Sequence, residues 1–310
     1  MTLLHRAAPH ALPLAMALFV LVFAAVEPAF LSTGNLIGIL RSVALVGIMA
    51  LGMTFVIMTG GIDLSVGPVS AIAGLVAFFV LADGHGVAVA LMAGAGLGLI
   101  IGIGNGLLVA GLGLPAIVVT LGSLSIVRGS ALLLGGPDLH AIRDQAAYSF
   151  IGSGMAAGLP VPILIFLALA ALVWFLQAAT PFGTLVAAVG DNERAAWLSG
   201  LKVRAIRTAC YGLCGLLAAV AGMIQSAQVH TASATYGKFG TELDVIAAVV
   251  LGGTQLAGGA GSVLRTLMGV LFLGILNNGM NILDVPIDIQ LIAKGAIIAL
   301  ALALAQRRAA

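Results

Sequence analysis

Long apolar runs, separated by short clusters of glycine, proline and charged residues, set the pattern of this chain. The runs are continuous and do not alternate between apolar and polar residues, which favours helices over strands. About 20 apolar residues are needed for one helix to cross the hydrocarbon core of a bilayer. The pattern therefore predicts ten membrane-spanning helices, the eighth of them short. They lie near residues 12–30, 40–58, 64–82, 86–110, 115–134, 161–179, 206–227, 241–254, 262–282 and 289–305.

Composition agrees with a membrane protein, because 61% of the 310 residues are hydrophobic and 8% are charged. A soluble domain carries about 25% charged residues, so this chain cannot cover a water-facing surface. Closed barrels are the other structure that spans a membrane, and their short alternating strands do not fit these runs. We therefore expect an all-α polytopic membrane protein, with residues 1–310 forming a single transmembrane domain.

Lysine and arginine residues predict the orientation, because cytoplasmic loops carry an excess of them. An even number of spans places both termini on the same side. With the N-terminus in the cytoplasm, the inner segments hold Arg6, Arg194, Lys202, Arg204, Arg207, Arg265, Arg307 and Arg308. The outer segments and their flanks then hold Arg41, Arg143 and Lys238. We therefore expect both termini in the cytoplasm. The net charge of the whole chain is only +2, which gives no indication of a nucleic-acid partner.

The stretch MTGGIDLSVGPVS, residues 58–70, places a carboxylate between two strongly apolar runs. A charge at membrane depth usually faces protein or water, and a carboxylate is favoured near a helix N-terminus. Asp63 is therefore predicted to cap the third span at the inner face, and a role in gating or in docking a partner is the alternative. The helix-break and gating candidates here are Gly60, Gly61, Asp63, Ser65 and Gly67.

A second glycine-flanked break follows the run TELDVIAAVVL, which starts at Thr241. Residues 228–262 are too polar and too rich in glycine for simple spans, so we expect a re-entrant or broken helix, which protein or water must cover. The helix-break and gating candidates in this segment are Gly252, Gly253, Gly258 and Gly259. The topology also permits an inverted repeat, in which spans two to five match spans seven to ten.

Polar amides inside spans either hold helices together or line a polar path. The candidates for a translocation path are Asn105, Asn277, Asn278 and Asn281. In the fourth span a row of glycines, spaced four residues apart from Gly94 to Gly106, lies on one helical face. The row indicates either close packing of helices or the wall of a pore.

The segment between spans six and seven is the one substantial inner loop, and residues 183–205 are assigned to it. Asp191 or Asn192 is predicted to cap a short helix that Gly200 ends. This helix either lies at the lipid interface or docks a cytoplasmic partner, and its mixed charge with exposed apolar residues favours docking. The docking candidates are Asp191, Asn192, Glu193, Arg194, Trp197, Leu198, Ser199 and Gly200.

Motifs for chemistry are absent from the sequence. No lysine sits in the G-x-x-x-x-G-K-[ST] frame of a nucleotide-binding loop, and no metal-binding or nucleophile motif is present. Cys210 and Cys214 lie four residues apart without a neighbouring histidine, so we expect them to be structural. We therefore expect the chain itself to have no enzyme activity, no cofactor and no metal.

Four motifs, in order along the chain, give it a resemblance to a known family. They are MTFVIMTGGIDLSVG, PAIVVTLGSLSIVRG, GDNERAAWLSGLKV and ELDVIAAVVLGGTQLAGGAGSV followed by NNGMNIL. From about Arg41 to Lys294 the chain closely resembles the ribose-type permeases of bacterial ABC importers. The resemblance implies a multi-pass permease of the inner membrane that passes a monosaccharide or a related polyol.

The partners that this resemblance implies are a periplasmic sugar-binding protein, a cytoplasmic ABC ATPase that binds the ATP, and a second permease copy or a paralogue. Membrane lipids surround such a protein, and no nucleic acid is expected. The resemblance also assigns residues 190–204 to coupling with the ATPase, and it implies both breaks, at residues 59–67 and 252–261. The sequence GGAGS, residues 258–262, departs from the family, which often has a basic residue there.

Two other classes of membrane protein compete with this interpretation. An ion-coupled secondary transporter of a small polar solute needs a coupling site for an ion or proton, and the spans offer few ionisable groups for one. A membrane enzyme needs a catalytic constellation, which the sequence lacks.

Overall fold

The computed structural model describes residues 11–237 and 240–309, so Arg6 and Lys238, two of the charges used for the orientation, lie outside the described residues. Within these residues the chain folds into thirteen α-helices and four very short strands, which confirms the all-helical class. The first six helices are α1 (Ala11–Val26), α2 (Thr33–Met58), α3 (Val66–Ala82), α4 (Val87–Gly106), α5 (Ala116–Gly135) and α6 (Ala146–Ser153). The others are α7 (Val161–Ala178), α8 (Pro181–Asp191), α9 (Glu193–Leu198), α10 (Val203–Val229), α11 (Thr241–Leu251), α12 (Val263–Ile282) and α13 (Ile287–Ala309).

Six helices of the described part are long and apolar enough to cross a membrane. They are α2, α4 with its π-helical extension Leu107–Gly111, α5, α7, α10 and α12. Two shorter apolar helices, α1 and α3, have 16 and 17 residues, near the lower limit of about 17 residues for a span. A helix lies in each of the ten predicted runs. The chain is therefore a multi-pass membrane protein.

Local bonding moves two helix boundaries from their predicted positions. Helix α2 begins at Thr33 rather than near residue 40, because the hydroxyl of Ser32 accepts a hydrogen bond from the N–H of Asn35 (3.3 Å) and caps the helix. Helix α1 ends at Val26 rather than near residue 30, because Pro28 follows it and starts a 3₁₀ turn. Both errors arise where capping and proline, and not hydropathy, decide the boundary.

Helix α10 forms the centre of the bundle, where it packs against α2, α3 and α4. The glycine row of α4 lies directly on it, since a methyl group at Gly98 would overlap the carbonyl of Gly215 and one at Gly102 would overlap the carbonyl of Tyr211. The two helix backbones are therefore in contact, as small residues permit in membrane proteins. The row is a packing surface and not the wall of a pore.

Helices α2–α5 and α10–α13 pack in matching ways. Helix α3 contacts α4 and α10, while its counterpart α11 contacts α12 and α2. In the same manner α4 packs on α10 and α12 packs on α2, and α2 and α10 also pack on each other. This set of contacts shows the matching packing that a repeat of spans two to five in spans seven to ten predicts.

The segment of residues 228–262 is broken, as predicted. It contains the strand β4 (Thr231–Ala232) and then α11, whose 11 residues give it a length of about 17 Å. A helix of this length cannot cross a hydrocarbon core of about 30 Å. Residues 252–262 then form turns that lead into α12.

Helix α10 has 27 residues, so the elements that flank it lie about 40 Å apart, at opposite ends of the bundle. The short helices α8 and α9 precede its N-terminus, and β4 follows its C-terminus. At this second end β4 pairs with β1 (His140–Ala141), and α6 packs against α10 at Gln228. The strands β2 (Met155–Ala156) and β3 (Leu159–Pro160) form a hairpin that follows α6.

Candidate functional site

The two predicted breaks meet at one end of the bundle. The N–H of Gly259 donates to the carbonyl of Met58 (2.8 Å), which joins the turn after α11 to the end of α2. Gly60, with a φ of +76°, faces the carbonyl of Ala257. Two segments that are far apart in the sequence thus form one structure. We call it the glycine junction and define it as Met58–Gly60, Gly190 and Gly258–Gly261.

The end of α8 fills the glycine junction. A methyl group at Gly190 would overlap the carbonyl of Met58 and the N–H of Gly259, and one at Gly258 would overlap the carbonyl of Gly190. Gly258 also has a φ of +95°, a conformation that residues with a Cβ rarely adopt. Glycine is required at these two positions, because three backbone segments approach more closely than a Cβ permits.

Gln177, near the end of α7, holds the third side of the junction, and no role was predicted for it. Its amide nitrogen donates to the carbonyl of Gly261 (3.1 Å), and its amide oxygen accepts from the N–H of Val263 (2.8 Å). The second bond satisfies an N–H in the first turn of α12, which has no partner within the helix. A single amide in the last turn of an apolar span is the sequence signal that could have identified this residue.

The short helix α9 confirms the helix predicted between spans six and seven. Asn192 caps it, since its side-chain oxygen accepts from the N–H of Ala195 (2.9 Å), whereas Asp191 is the last residue of α8. Ser199 is the C-cap, and Gly200 follows with a φ of +82°. The predicted ends of this helix are therefore correct, and of the two candidate caps the structure selects Asn192.

The outer face of α9 is apolar and exposed. Trp197 and Leu198 are 67% and 70% exposed. An open groove of about 1030 Å³ runs between α9 and the turn that follows α4. Its lining includes Leu112, Arg194, Trp197, Lys202 and Arg204. The surface thus presents apolar and cationic groups side by side at the end of the bundle that carries the glycine junction.

Arg207 joins α9 to the glycine junction. Its Nη1 forms an ion pair with Oε2 of Glu193 at 2.9 Å, and its Nη2 donates to the carbonyl of Thr59 at 3.2 Å. Thr59 is the C-cap residue of α2. One side chain therefore connects the first turn of α9 with the end of α2.

Asp63 is fully buried in the first break, but it does not cap α3 at the inner face as predicted. Ser65 is the N-cap residue of α3, and Oδ1 of Asp63 accepts from the N–H (2.9 Å) and the hydroxyl (2.6 Å) of Ser65. Asn105 donates to the same hydroxyl oxygen (3.0 Å), and the hydroxyl of Thr120 donates to the carbonyl of Ile62 (3.2 Å). Oδ1 of the carboxylate thus bonds the turn before α3, which lies inside the bundle beside α4 and α5, whereas Oδ2 is buried and has no hydrogen-bond partner among the described residues.

The first turns of α3 and α11 face each other inside the bundle. A methyl group at Gly67 would overlap the carboxylate of Glu242, which is buried, and would also meet the carbonyl of Gly237. Gly67 is therefore small because a carboxylate and a backbone segment lie against it. Two short helices that start at one point inside the bundle resemble the discontinuous helices that form polar sites in transporters with inverted repeats.

Arg128 of α5 holds the segment that precedes α11, and no role was predicted for it. Its guanidinium donates to the carbonyl oxygens of Ala234, Tyr236 and Gly237, the last two at 2.7 Å. A guanidinium has five donors in a fixed planar fork, which suits several carbonyl partners at once. Charged groups within a membrane bundle usually mark a functional path. Arg128 and Glu242 therefore mark the polar centre of this bundle.

The remaining glycine candidates lie outside the junction. Gly252 packs against the carbonyl of Arg265 in the first turn of α12. Gly253 turns the chain after α11 with a φ of +87°. Gly61 packs against the hydroxyl of Tyr211 on α10. The sequence thus placed all of these glycines at breaks. The structure separates those that join the two breaks from those that pack against neighbouring helices, as Gly61 and Gly252 do, or turn the chain, as Gly253 does.

The path candidates among the amides mostly bond to neighbouring helices. Asn278 and Asn35 exchange two hydrogen bonds of 2.9 Å, and Asn281 accepts one of 2.8 Å from Gln290. Like the bond from Asn105 to Ser65, these contacts favour the helix-association interpretation over a polar path. Asn277 differs, because its side-chain oxygen is buried and has no hydrogen-bond partner among the described residues.

Comparison with known proteins gives the family. The family model described as branched-chain amino acid transport system / permease component matches residues 35–302. The chain is 39% identical to the ribose import permease protein RbsC of Bacillus subtilis over 298 residues, 96% of this chain and 92% of that protein. It is 40% identical to RbsC of Escherichia coli K12 over 291 residues, 93% and 90% of the two chains. It is 34% identical to the L-arabinose ABC transporter permease protein AraH of Azospirillum brasilense over 293 residues, 94% and 86% of the two chains.

No solved structure gives a significant match to the chain. The family match extends from α2 into α13 and contains the glycine junction, α9 and the facing first turns of α3 and α11. The relatives confirm the resemblance that the four motifs indicated. The chain therefore belongs to the permease-component family of branched-chain amino acid transport systems, together with permeases of sugar ABC importers.

Proposed function

We propose that the chain is the membrane-spanning permease subunit of an ABC importer that carries a monosaccharide or a related polyol. This substrate class is supported by the permeases named for ribose and L-arabinose. Their matches cover 96%, 93% and 94% of the chain. The polar centre at Arg128 and Glu242 offers charged groups and backbone carbonyls to a solute with many hydroxyl groups.

In this proposal the chain crosses the bacterial inner membrane ten times, with both termini in the cytoplasm. The eighth crossing is the broken segment in which α11 forms only part of the span. The distribution of lysine and arginine supports this orientation. Two copies of the chain, or the chain and a paralogue, enclose the path. A periplasmic binding protein delivers the sugar at the end that carries α6 and the β2–β3 hairpin.

The observation that carries the proposal is the exposed apolar face of α9. Trp197 and Leu198 are exposed to water if α9 lies in the cytoplasm, and exposed apolar groups beside a cationic groove are typical of an interaction site. In the proposal a separate ABC ATPase docks on residues 183–205, binds the ATP and supplies the energy. Its movement reaches the two breaks at the glycine junction, which act as the gate.

Reconstitution in proteoliposomes tests this function. The chain is purified with the ATPase and the binding protein encoded beside it, and uptake of radiolabelled ribose, arabinose and galactose is measured. We expect uptake that requires both partners and internal ATP, and no ATP hydrolysis by the permease alone. Uptake by the permease alone, driven by an ion or proton gradient, would instead identify it as a secondary transporter.

A further inference from the structure

Arg207 is the one described side chain that bonds both to α9 and to the end of α2. The ion pair with Glu193 ties it to the first turn of α9, and the bond to the carbonyl of Thr59 ties it to the C-cap of α2. Its side chain is 16% exposed, whereas that of Glu193 is 57% exposed. One end of this connection therefore lies at the surface and the other within the bundle.

The carbonyl of Thr59, which Arg207 binds, lies next to the hydrogen bond that joins the two breaks. Thr59 directly follows Met58, whose carbonyl accepts the bond from Gly259. A displacement of Arg207 would therefore pull on the peptide segment that holds the breaks together. Gly190, near the end of α8, is packed against the same segment, so α8 and Arg207 both contact it.

The geometry of the guanidinium suits a link between two partners. Its two terminal nitrogens point to different acceptors, and the planar fork keeps the angle between the two bonds fixed. A lysine ammonium on a flexible stem can satisfy one acceptor at a time as a point charge, but it does not impose a fixed angle. The position therefore requires more than a positive charge.

We propose that Arg207 is a positioning residue that transmits movement of α9 to the gate. When a docked ATPase moves α9, the ion pair moves Arg207, and the bond to Thr59 shifts the end of α2 against Gly259. This role rests on the proposed docking of the ATPase at α9. It differs from docking, because Arg207 lies behind α9 and leaves the exposed apolar face of that helix unchanged.

A purely structural role for Arg207 predicts a different outcome. Ion pairs with one exposed partner contribute little to folding stability, and Gln177 and the Met58–Gly259 bond hold the junction independently of Arg207. Loss of the guanidinium should therefore affect transmission far more than it affects folding. Uptake measured per ATP hydrolysed separates the two roles, because reduced stability alone lowers both quantities together.

The test uses the reconstituted complex with Arg207→Gln, Arg207→Lys and the control Arg265→Gln, which removes an exposed guanidinium from the start of α12. We expect all three to retain the ATPase on purification. Uptake per ATP should fall at least tenfold in Arg207→Gln and partly in Arg207→Lys, and should be unchanged in Arg265→Gln. Glu193→Ala, which removes the acceptor for Nη1 of Arg207 at the surface, provides a second measurement if Arg207→Gln folds poorly, and uptake per ATP should fall in it as well.

Each other outcome has a defined meaning. Normal uptake per ATP in Arg207→Gln or in Glu193→Ala overturns the proposal. Loss of the bound ATPase from the Arg207 variants also overturns it, because Arg207 would then be part of the docking surface. If the wild-type chain itself retains no ATPase, the proposed function fails, and this result is distinct from failure of the link.

Discussion

The carbonyl of Met58 accepts a hydrogen bond from the N–H of Gly259 at 2.8 Å, which joins the end of α2 to the turn that follows α11. These two residues belong to the two halves that pack in matching ways. Because they are bonded directly, a movement of one half can displace the other half without a long chain of intermediate contacts. It also explains why Gly190 of α8, which lies against both groups, has no room for a side chain.

Gly190→Ala should disturb the glycine junction. A methyl group there overlaps the carbonyl of Met58 and the N–H of Gly259, and overpacking of this kind typically costs about 1–3 kcal/mol. We expect a lower unfolding temperature in detergent and a clear loss of uptake.

Gly104→Ala is the matched control for this variant. Gly104 lies in α4, and no atom lies within 4 Å of the position its Cβ would take. Alanine in a helix interior is favoured over glycine by about 0.5–1 kcal/mol, so stability should be unchanged or slightly higher. Equal unfolding temperatures for the two variants would contradict the close approach of three backbones at Gly190.

Substitutions of Asp63 separate the contribution of its hydrogen bonds to stability from the contribution of its charge. Asp63→Asn retains an oxygen that accepts from Ser65, so we expect near-normal stability. Asp63→Leu leaves the buried N–H and hydroxyl of Ser65 without this acceptor, which costs about 1–3 kcal/mol for an unsatisfied group. Thermal unfolding of the purified variants measures the difference. If Asp63→Leu is as stable as Asp63→Asn, the bonds to Ser65 do not stabilise the turn before α3.

Cysteine labelling tests the proposed orientation. The two natural cysteines, Cys210 and Cys214, are buried, so the background should be low. Met155→Cys lies in the β2–β3 hairpin and Leu198→Cys lies on α9, and the native side chains are 51% and 70% exposed. In intact spheroplasts an impermeant maleimide should label Met155→Cys and should label Leu198→Cys only after lysis. The reverse pattern would place α9 outside the cell and exclude it as a site for a cytoplasmic ATPase.

The sequence predicted the helices well, because long apolar runs leave few alternatives in a membrane. Helix α5 begins and ends within one residue of its predicted limits, 115–134. Both breaks and the short helix α9 were also predictable, since glycine, asparagine and charged residues interrupt the runs there. The start of α2 was not predictable from hydropathy, because the cap at Ser32 decides it.

The contacts between the two breaks could not be predicted from the sequence. Gly60 and Gly258 each indicate a turn, but nothing in the sequence shows that the two turns are in contact. Arg128 and Gln177 lie within or at the end of apolar runs, and the partners that reveal their roles are backbone carbonyls and an N–H distant in the sequence. The amide in an apolar span could have identified Gln177 as a residue with a role, but the sequence could not predict its partners or those of Arg128, because backbone groups leave no trace in the sequence.

The central claim is that α9 docks a separate ATPase, and the double variant Trp197→Ala with Leu198→Ala tests it most directly. Both side chains are exposed, so membrane insertion and stability should be near normal. We predict that the amount of ATPase recovered with the permease falls at least tenfold and that uptake falls with it. Leu133→Ala, which removes a side chain that is 91% exposed on α5, is the control and should retain the ATPase. Full recovery of the ATPase with the double variant would contradict the account.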